Sequence, residues 1–523
     1  MNEFTTDSII AVIGAGTMGA GIAQIAAKAG HQVLLFDIAE GAAQKGIKNI
    51  CKGLDKLVQR NRITQPEVDK LISNISPISD INKLASADLV IEAIVEKLEI
   101  KQQLFCQLET ICHANVIIAS NTSSISITAI GAKLLKPQNL IGMHFFNPAP
   151  IMKLVEVISG LDTNKQVANN VFELAKSWGK LAVHAKSTPG FIANRIARPF
   201  YAESLRIHQE GAADIATIDW LFKDCGGFKM GPFELMDLIG HDVNYAVTCS
   251  VFDAFYHDQR FLPSLMQKEL LDAGHLGRKS GRGFYQYDNN SKPETIRQQS
   301  PVELDITSIT VVGNLGVAEG VLPLFEQLGL KIDRVSNTHK NSIETAGKIL
   351  IGNATLMLAN GQFTTERATE MQCPSLVHFD LSLDYQQSTS IALSPCKNIP
   401  QQALNSVIAL FQKIEKKVIV IDDIPGMVLM RTICMLANEG FDAVNQQVCS
   451  EDDVDIAMKA GLSYPRGPIN WANILGLKYT LEVLKNLATT YGEDRFRASP
   501  LLQRKVAEQQ LETIRNNKTI GQN

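Results

Sequence analysis

Ile9-Ile10-Ala11-Val12-Ile13-Gly14-Ala15-Gly16-Thr17-Met18-Gly19, running on into Ala20-Gly21-Ile22-Ala23, decides the reading of the first part of the chain. An apolar run that stops at glycine reads as a short buried strand, and the glycines then open a helix. Gly14, Gly16 and Gly19 fill G-x-G-x-x-G, with Thr17 and Met18 at the helix start, where backbone approaches a pyrophosphate. A second apolar run, Val33-Leu34-Leu35-Phe36, ends in Asp37, about 20 residues past the glycines. Glycine spacing alone is a weak signal; strand, turn, helix, strand and acid in that order form a dinucleotide site. Asp37 would bond a ribose 2′-hydroxyl and repel a 2′-phosphate, so the expected cofactor is NAD rather than NADP.

A chain of 523 residues is too long for one core and divides into about three or four domains. With 45% apolar and 20% charged residues it folds into sizeable cores. The net charge of −4 gives no general attraction to nucleic acid or an anionic membrane, so an anionic ligand must meet a local basic site. The 9 cysteines are scattered, with no pair or His/Cys cluster at metal spacing; no metal is expected, and a reducing cytoplasm is. Ile9 to Ala27 carries no charge and imitates a membrane anchor. Its leader holds Glu3 and Asp7 without Lys or Arg, the wrong sign for a signal peptide, and a soluble protein is expected.

Beyond Asp37, Ala42–Leu57 and Gln65–Leu71 have helical spacing, and Lys48, Lys52, Lys56, Arg60 and Arg62 make the region basic. A solvated helix face and a contact for a bulky phosphorylated substrate both fit. Asp88-Leu89-Val90-Ile91-Glu92-Ala93 reads as a strand, with Glu96 and Lys101 on the turn and helix after it. Carboxyl ends of strands face the ligand crevice of a doubly wound sheet, making Glu96 and Lys101 candidates for cofactor contacts; charged helix caps read the same way. Val116–Ala119 is another strand, ending in Ser120-Asn121-Thr122-Ser123-Ser124. Those hydroxyls suit a helix cap or a bond to a substrate oxygen. Gly142-Met143-His144-Phe145-Phe146-Asn147-Pro148 puts a histidine at a strand end, with Glu156 twelve residues on. Imidazole titrates near neutrality and a carboxylate partner fixes its tautomer, the pairing a dehydrogenase needs to take a hydroxyl proton.

Taken together, these stretches resemble the L-3-hydroxyacyl-CoA dehydrogenase family. The resemblance rests on Gly14–Gly19 with Gly21-Ile22-Ala23, Glu92–Glu96, Ser120–Ser124, and His144–Pro150 with Lys153–Glu156. It continues through Thr188-Pro189-Gly190-Phe191-Ile192-Ala193-Asn194-Arg195 and Gly277–Tyr285, spanning about residues 7–288. It implies that His144 is the general base and Glu156 its partner, and that Ser123 and Asn194 bond the C3 oxygen. By the same resemblance Asn147 orders the site, Asp37 holds the adenosine ribose, and Glu96 and Lys101 lie near the nicotinamide half. An acyl-CoA substrate follows, as does a helical domain that closes the cleft and supplies a dimer interface.

The second half reads as a worn copy. A shift of 236 residues takes Pro189-Gly190 to Pro425-Gly426, Arg195 to Arg431, Glu203 to Glu439, Gly231-Pro232 to Gly467-Pro468 and Gly240 to Gly476. Ile309–Gly316 echoes the opening strand and turn, but with Gly30 set against Gly329, Gly16 falls on Leu315, Gly19 on Ala318 and Asp37 on Ser336. At a shift of 234, His378 falls on His144 and Ser390 on Glu156, while the helical repeat puts Met430 at Asn194. This copy is expected to bind no dinucleotide, and His378 to be structural.

The expected architecture is an α/β Rossmann-type NAD-binding domain (1–186) and an all-α helical substrate and dimerisation-type domain (187–288). A degenerate Rossmann-like domain (301–420) and a second helical domain (421–523) follow a polar linker at Asp288–Ser300. Residues 421–523 are expected to cover the apolar face of 187–288 as a pseudo-dimer within the chain, with a further homodimer open. The expected reaction is NAD-dependent oxidation of an L-3-hydroxyacyl-CoA, without a fused hydratase. The long form resembles 3-hydroxybutyryl-CoA or 3-hydroxyadipyl-CoA dehydrogenases of β-oxidation and bacterial aromatic-acid (phenylacetate) degradation. A sugar-acid dehydrogenase of the L-gulonate type and a non-catalytic NAD-binding protein are the alternatives.

Overall fold

The computed structural model describes residues 3–287, 296–336 and 347–520. Residues 288–295, the first part of the expected linker, lie outside them. The chain forms two compact units, Met1–Arg195 with Gln446–Leu462, and Ile196–Asn445 with Ser463–Asn523.

The first unit is a doubly wound sheet. Its strands are β1 (Ile10–Ile13), β2 (Val33–Phe36), β3 (Ile75–Ile78), β4 (Leu89–Glu92), β5 (Ile117–Ser120), β6 (Leu140–Phe145), β7 (Leu154–Ser159) and β8 (Leu181–Lys186). They lie in the order β3-β2-β1-β4-β5-β6-β7-β8. All neighbours are parallel except β6 and β7. The unbroken apolar runs follow from burial on both faces: every residue of β1, β4 and β5 is buried. Helices Thr17–Lys28 and Lys165–Ser177 supply facing apolar stripes, and Ile22, Ala26, Val167 and Val171 pack into one core with Val12, Leu35 and Val157. Because the chain leaves β1 for β2 and β3 on one side and resumes at β4 on the other, a crevice opens at the carboxyl end of β1.

A segment from late in the chain completes this unit. Helix Glu451–Leu462 packs on β7 and β8. The Lys186 N–H donates to the Val448 carbonyl at 2.9 Å. Packing is close enough that a Cβ on Gly461 would come within 2.5 Å of Leu154 Cδ2.

The second unit holds β9 (Ser308–Val312), β10 (Lys331–Val335), β11 (Lys348–Ile351), β12 (Ala354–Leu358), β13 (Leu376–Phe379), β14 (Ser390–Pro395) and β15 (Lys417–Val420), in the order β10-β9-β11-β12-β13-β14-β15. Here β9 meets an antiparallel β11, where the first sheet has the parallel β1–β4 pair. Among the described strands, the Gly313–Gly316 turn therefore has a parallel carboxyl end beside it at β10 but none on the β11 side. Helix Ile215–Asp224 packs on β14, with Trp220 Nε1 donating to Ser390 Oγ at 2.8 Å.

The two helical repeats pack on each other inside this unit through helices Arg198–Gln209 and Leu429–Asn445. Their contact is isologous: Glu203 pairs with Arg495 at 3.1 Å, and its repeat mate Glu439 pairs with Arg260 at 3.6 Å. Arg431, fully buried, joins Glu203 at 2.8 Å and Glu210 at 3.0 Å, so an ion cluster and not only an apolar face holds the repeats together.

Candidate active site

The glycine turn divides its labour between fold and ligand. Gly14 has φ +97°, and a Cβ there would stand 2.4 Å from the Ala93 carbonyl oxygen. At Gly19 a Cβ would overlap the Gly14 carbonyl, so this glycine lets the helix seat on the strand. Gly16 is different: a Cβ there meets nothing within 4 Å and points into open space at the N-terminus of helix Thr17–Lys28. Unobstructed amides at a helix start are what a pyrophosphate needs. Asp37 Oδ2 accepts the Ala15 N–H at 2.7 Å and Oδ1 the Ala39 N–H at 2.9 Å, which fixes the carboxylate at the end of β2. A groove of about 620 Å³ runs along Gly16, Thr17, Asp37, Lys45 and Asn49. These residues fit a dinucleotide carrying a free ribose 2′-hydroxyl. Met18 is half-buried and packs against the core.

Across the crevice, Lys101 and Glu96 belong to one polar network, in which Lys101 and Glu92 are buried and Glu96 lies at the exposed edge. Lys101 Nζ donates to Glu92 Oε1 at 2.6 Å and lies 3.2 Å from Glu96 Oε2. Glu92 Oε2 accepts Ser120 Oγ–H at 2.7 Å. Glu96 Oε1 accepts the Thr122 hydroxyl and the amides of Ser123, at 3.0 Å, and Ser124, at 3.2 Å. Burial works to raise the Glu96 pKa, but the Thr122 hydrogen bond and the Lys101 charge outweigh it and hold it low. The loop carrying Ser123 is thus clamped by Glu92, at the end of β4, and Glu96, on the turn after it, leaving the Ser123 side chain exposed. Glu92 was not singled out from sequence; its signal is a carboxylate closing an otherwise apolar strand.

His144 lies at the end of β6, 6% exposed, with Nδ1 2.6 Å from Glu156 Oε2. The two face each other across the antiparallel β6–β7 register. Glu156 is completely buried, and its other oxygen accepts the N–H groups of Ile192 at 3.1 Å and Ala193 at 2.9 Å. Those amides open the helical turn that carries Asn194, so one carboxylate fixes both the imidazole and the Asn194 backbone. Phe146 and Phe191 flank the ring at 4.5 and 5.8 Å between centroids. Asn147, exposed, precedes Pro148 through a cis peptide. Two supporting residues escaped sequence reasoning. Asn121 Oδ1 accepts the Phe145 N–H at 2.8 Å. Lys180 Nζ donates to the carbonyls of Ala149, at 2.6 Å, and Met152, at 2.8 Å, and burial pulls its pKa down to about 8.

Strand register corrects the expected match of His378 to His144. Glu156 stands beside Val183. A shift of 236 takes Val183 to Ile419, whose neighbour is Ala392. The Ala392 carbonyl accepts the Asp380 N–H at 3.1 Å, so Asp380 holds the His144 position, Ala392 the Glu156 position and His378 that of Gly142. Asp380 accepts the N–H groups of Val428, Leu429 and Met430 at 2.8–3.0 Å. It keeps the carboxylate's structural task while the imidazole is gone. Burial raises its pKa to about 6 against those hydrogen bonds. His378 is buried with Arg367 3.3 Å from Nε2; burial first and that charge second push its pKa well down.

Models of known families match four segments of the chain. The family "3-hydroxyacyl-CoA dehydrogenase, NAD binding domain" matches residues 9–188. "3-hydroxyacyl-CoA dehydrogenase, C-terminal domain" matches twice, at 190–287 and 426–519. "3-hydroxybutyryl-CoA dehydrogenase reduced Rossmann-fold domain" matches 356–425. The chain is 42% identical over 497 residues to a 3-hydroxyadipyl-CoA dehydrogenase of Escherichia coli, covering 95% of this chain and 97% of that one. A probable 3-hydroxybutyryl-CoA dehydrogenase of Bacillus subtilis is 42% identical over 282 residues, 54% of this chain and 98% of its own length. The crystal structure of an Escherichia coli 3-hydroxybutyryl-CoA dehydrogenase superposes with a TM-score of 0.85 at 41% identity, covering 96% of this chain and 98% of that one.

Proposed function

The chain belongs to the 3-hydroxyacyl-CoA dehydrogenase family, and from that premise we propose how its residues carry out NAD-dependent oxidation of a 3-hydroxyacyl-CoA to the 3-oxoacyl-CoA. The observation that carries the assignment is the buried His144–Glu156 contact at 2.6 Å. Glu156 accepts Nδ1–H, which leaves the Nε2 lone pair to take the proton of the C3 hydroxyl. As imidazolium forms, the carboxylate stabilises it. Ser123, on its clamped loop, and Asn194 hold the C3 oxygen so that the C3–H bond points one way, and Asn147 orders the loop after His144. Bound NAD supplies the hydride acceptor. Gly14, Gly16 and Gly19 with the Thr17 and Met18 amides bind its pyrophosphate and Asp37 its ribose, while Glu96 and Lys101 shape the nicotinamide side by fixing the Ser120–Ser124 loop.

The acyl group is short. The relatives' names cover a four-carbon monoacid and a six-carbon diacid. One active site operates per chain, because Asp380, Ala392 and Met430 replace the base, its partner and Asn194. The paired helical repeats act as the chain's own dimer. All nine cysteines are free thiols, which suits the cytoplasm, and among the described residues no helix is long and apolar enough to cross a membrane.

The test is NADH oxidation with acetoacetyl-CoA, repeated with NADPH and with free acetoacetate. Turnover of the thioester with NADH alone is expected, and His144→Gln should retain NADH binding while losing several orders of magnitude in rate. Near-normal turnover by that variant would place the base elsewhere.

A further inference from the structure

At the carboxyl ends of β4 and β5, within the first unit, polar groups close a ring of hydrogen bonds. Lys101 Nζ donates to Glu92 Oε1 at 2.6 Å, and Glu92 Oε2 accepts the Ser120 hydroxyl at 2.7 Å. Ser120 Oγ accepts the Thr122 N–H at 3.2 Å, and the Thr122 hydroxyl donates to Glu96 Oε1. Glu96 Oε2, 3.2 Å from Lys101 Nζ, completes the circuit. Glu92 Oε1 also accepts the Ile94 N–H at 2.7 Å. Every group bonded to Glu92 is thus a donor, the setting of a carboxylate. Two carboxylates and one ammonium leave the ring with one excess negative charge. The charged residues next in sequence, Lys97 and Glu99, are exposed and opposite in sign.

The second sheet shows that packing alone does not call for this ring. With Gly30 set against Gly329, Ile13 falls on Val312. Ile13 has Glu92 beside it in the ladder, and Val312 has Lys348. Ser120 stands beside Gly142, and Met357 beside His378, which holds the Gly142 position. The worn copy therefore sets a lysine and a buried methionine where the first sheet has Glu92 and Ser120. Burying a carboxylate with an ammonium costs desolvation that apolar side chains avoid, so the fold gives no reason to keep the pair.

The crevice gives one. Asp37 at the end of β2 and the glycine turn after β1 take the adenosine ribose and the pyrophosphate, so the other half of the dinucleotide crosses the switch point towards β4 and β5. That half carries the nicotinamide ring, a cation in NAD+ and neutral in NADH. We propose that Glu92, through Lys101 and Glu96, maintains one excess negative charge beside the nicotinamide seat and so strengthens binding of the oxidised cofactor relative to the reduced one. The inference rests on the dinucleotide reading of the crevice given above. Fully buried, Glu92 is a positioning residue. It neutralises the Lys101 ammonium, which would otherwise oppose a cationic ring, and leaves the charge of Glu96 at the exposed edge uncancelled.

The experiment measures Kd for NAD+ and for NADH by titration calorimetry on the full-length protein and on Glu92→Gln. The two cofactors share adenosine, pyrophosphate and ribose, so the ratio Kd(NAD+)/Kd(NADH) is blind to damage common to both. Glutamine removes one charge at nearly constant shape, and the ratio is expected to rise ~10-fold over wild type. Ser120→Ala opens the ring without changing its charge and should leave the ratio at the wild-type value. Glu96→Gln makes the same change of charge at the exposed edge and reads the ratio if E92Q fails to fold. A ratio unmoved in soluble E92Q, or in E96Q where E92Q is insoluble, overturns the proposal alone, as does a ratio moved equally far by S120A. Wild type that binds neither cofactor overturns the dinucleotide reading and this proposal with it.

Discussion

Replacing Glu156 by glutamine isolates the electrostatic half of the proposed base. Glutamine retains Oε1, so the amides of Ile192 and Ala193 keep their acceptor and the turn carrying Asn194 stays in place. Alanine would instead orphan two buried N–H groups, at about 1–3 kcal/mol each, and confuse folding with chemistry. With Nδ1 and Oε2 2.6 Å apart, the charge centres of imidazolium and carboxylate are ~4 Å apart. At an effective dielectric of ~20 that attraction is worth about 4 kcal/mol. Losing it slows the step roughly 10³-fold. The amide adds a second penalty: its N–H donates to Nδ1 and leaves the ring proton on Nε2, the atom that must accept the hydroxyl proton. E156Q should therefore fall about 10³–10⁴-fold in kcat with acetoacetyl-CoA and NADH. NADH affinity, followed by fluorescence titration, should stay within about threefold, because Glu156 has no contact with the glycine turn. A variant retaining more than about a tenth of wild-type kcat would refute the reasoning.

The glycine turn predicts a contrast. Gly16→Val, whose side chain enters open space, should leave the thermal midpoint near wild type while weakening NADH at least ~10-fold, whereas Gly19→Ala should cost ~3 kcal/mol or more of stability because its Cβ meets the Gly14 carbonyl. Urea titrations of both variants beside NADH binding decide it; a fully stable G19A would be the unwelcome result. Lys180 titrates near 8 when folded, against ~10.4 unfolded. The unfolded chain therefore binds the extra proton between those values, and stability rises with pH there; relative to Lys180→Met, wild type should gain on the order of 2 kcal/mol from pH ~8 to ~10. Parallel pH curves would show that the ammonium's burial has no such cost. Deleting residues 305–523 removes both the partner repeat and the helix on β7 and β8, and should yield an aggregating product. A soluble, fully active monomer would contradict the pseudo-dimer.

Much of the first sheet and the His144–Glu156 contact was legible because each has a local signature: glycine at positions that admit no side chain, apolar runs, and a histidine closing a strand. Register was not. Matching His378 to His144 by identity lands two residues away from the hydrogen-bonded alignment, since the ladder counts backbone groups and the eroded copy has replaced the imidazole with Asp380. Lys180, and the part Glu92 plays, were not legible because a buried charge satisfied by carbonyls or by a neighbouring lysine looks, in sequence, like any polar residue at a turn or strand end. The helix Glu451–Leu462 has ordinary helical periodicity, and nothing in that period tells which sheet it covers.

That helix sets a timetable for synthesis. β8 ends at Lys186, and the helix that covers β7 and β8 ends at Leu462. At about 5–20 residues per second, the 276 residues between those two points take roughly 14–55 s to emerge from the ribosome. Through that interval the nascent nucleotide-binding layer has one wall missing, with Leu154 awaiting Gly461. Its maturation is gated by the tail of its own translation, so a ribosome stalled anywhere before Leu462 releases a product that offers chaperones and proteases an unroofed sheet.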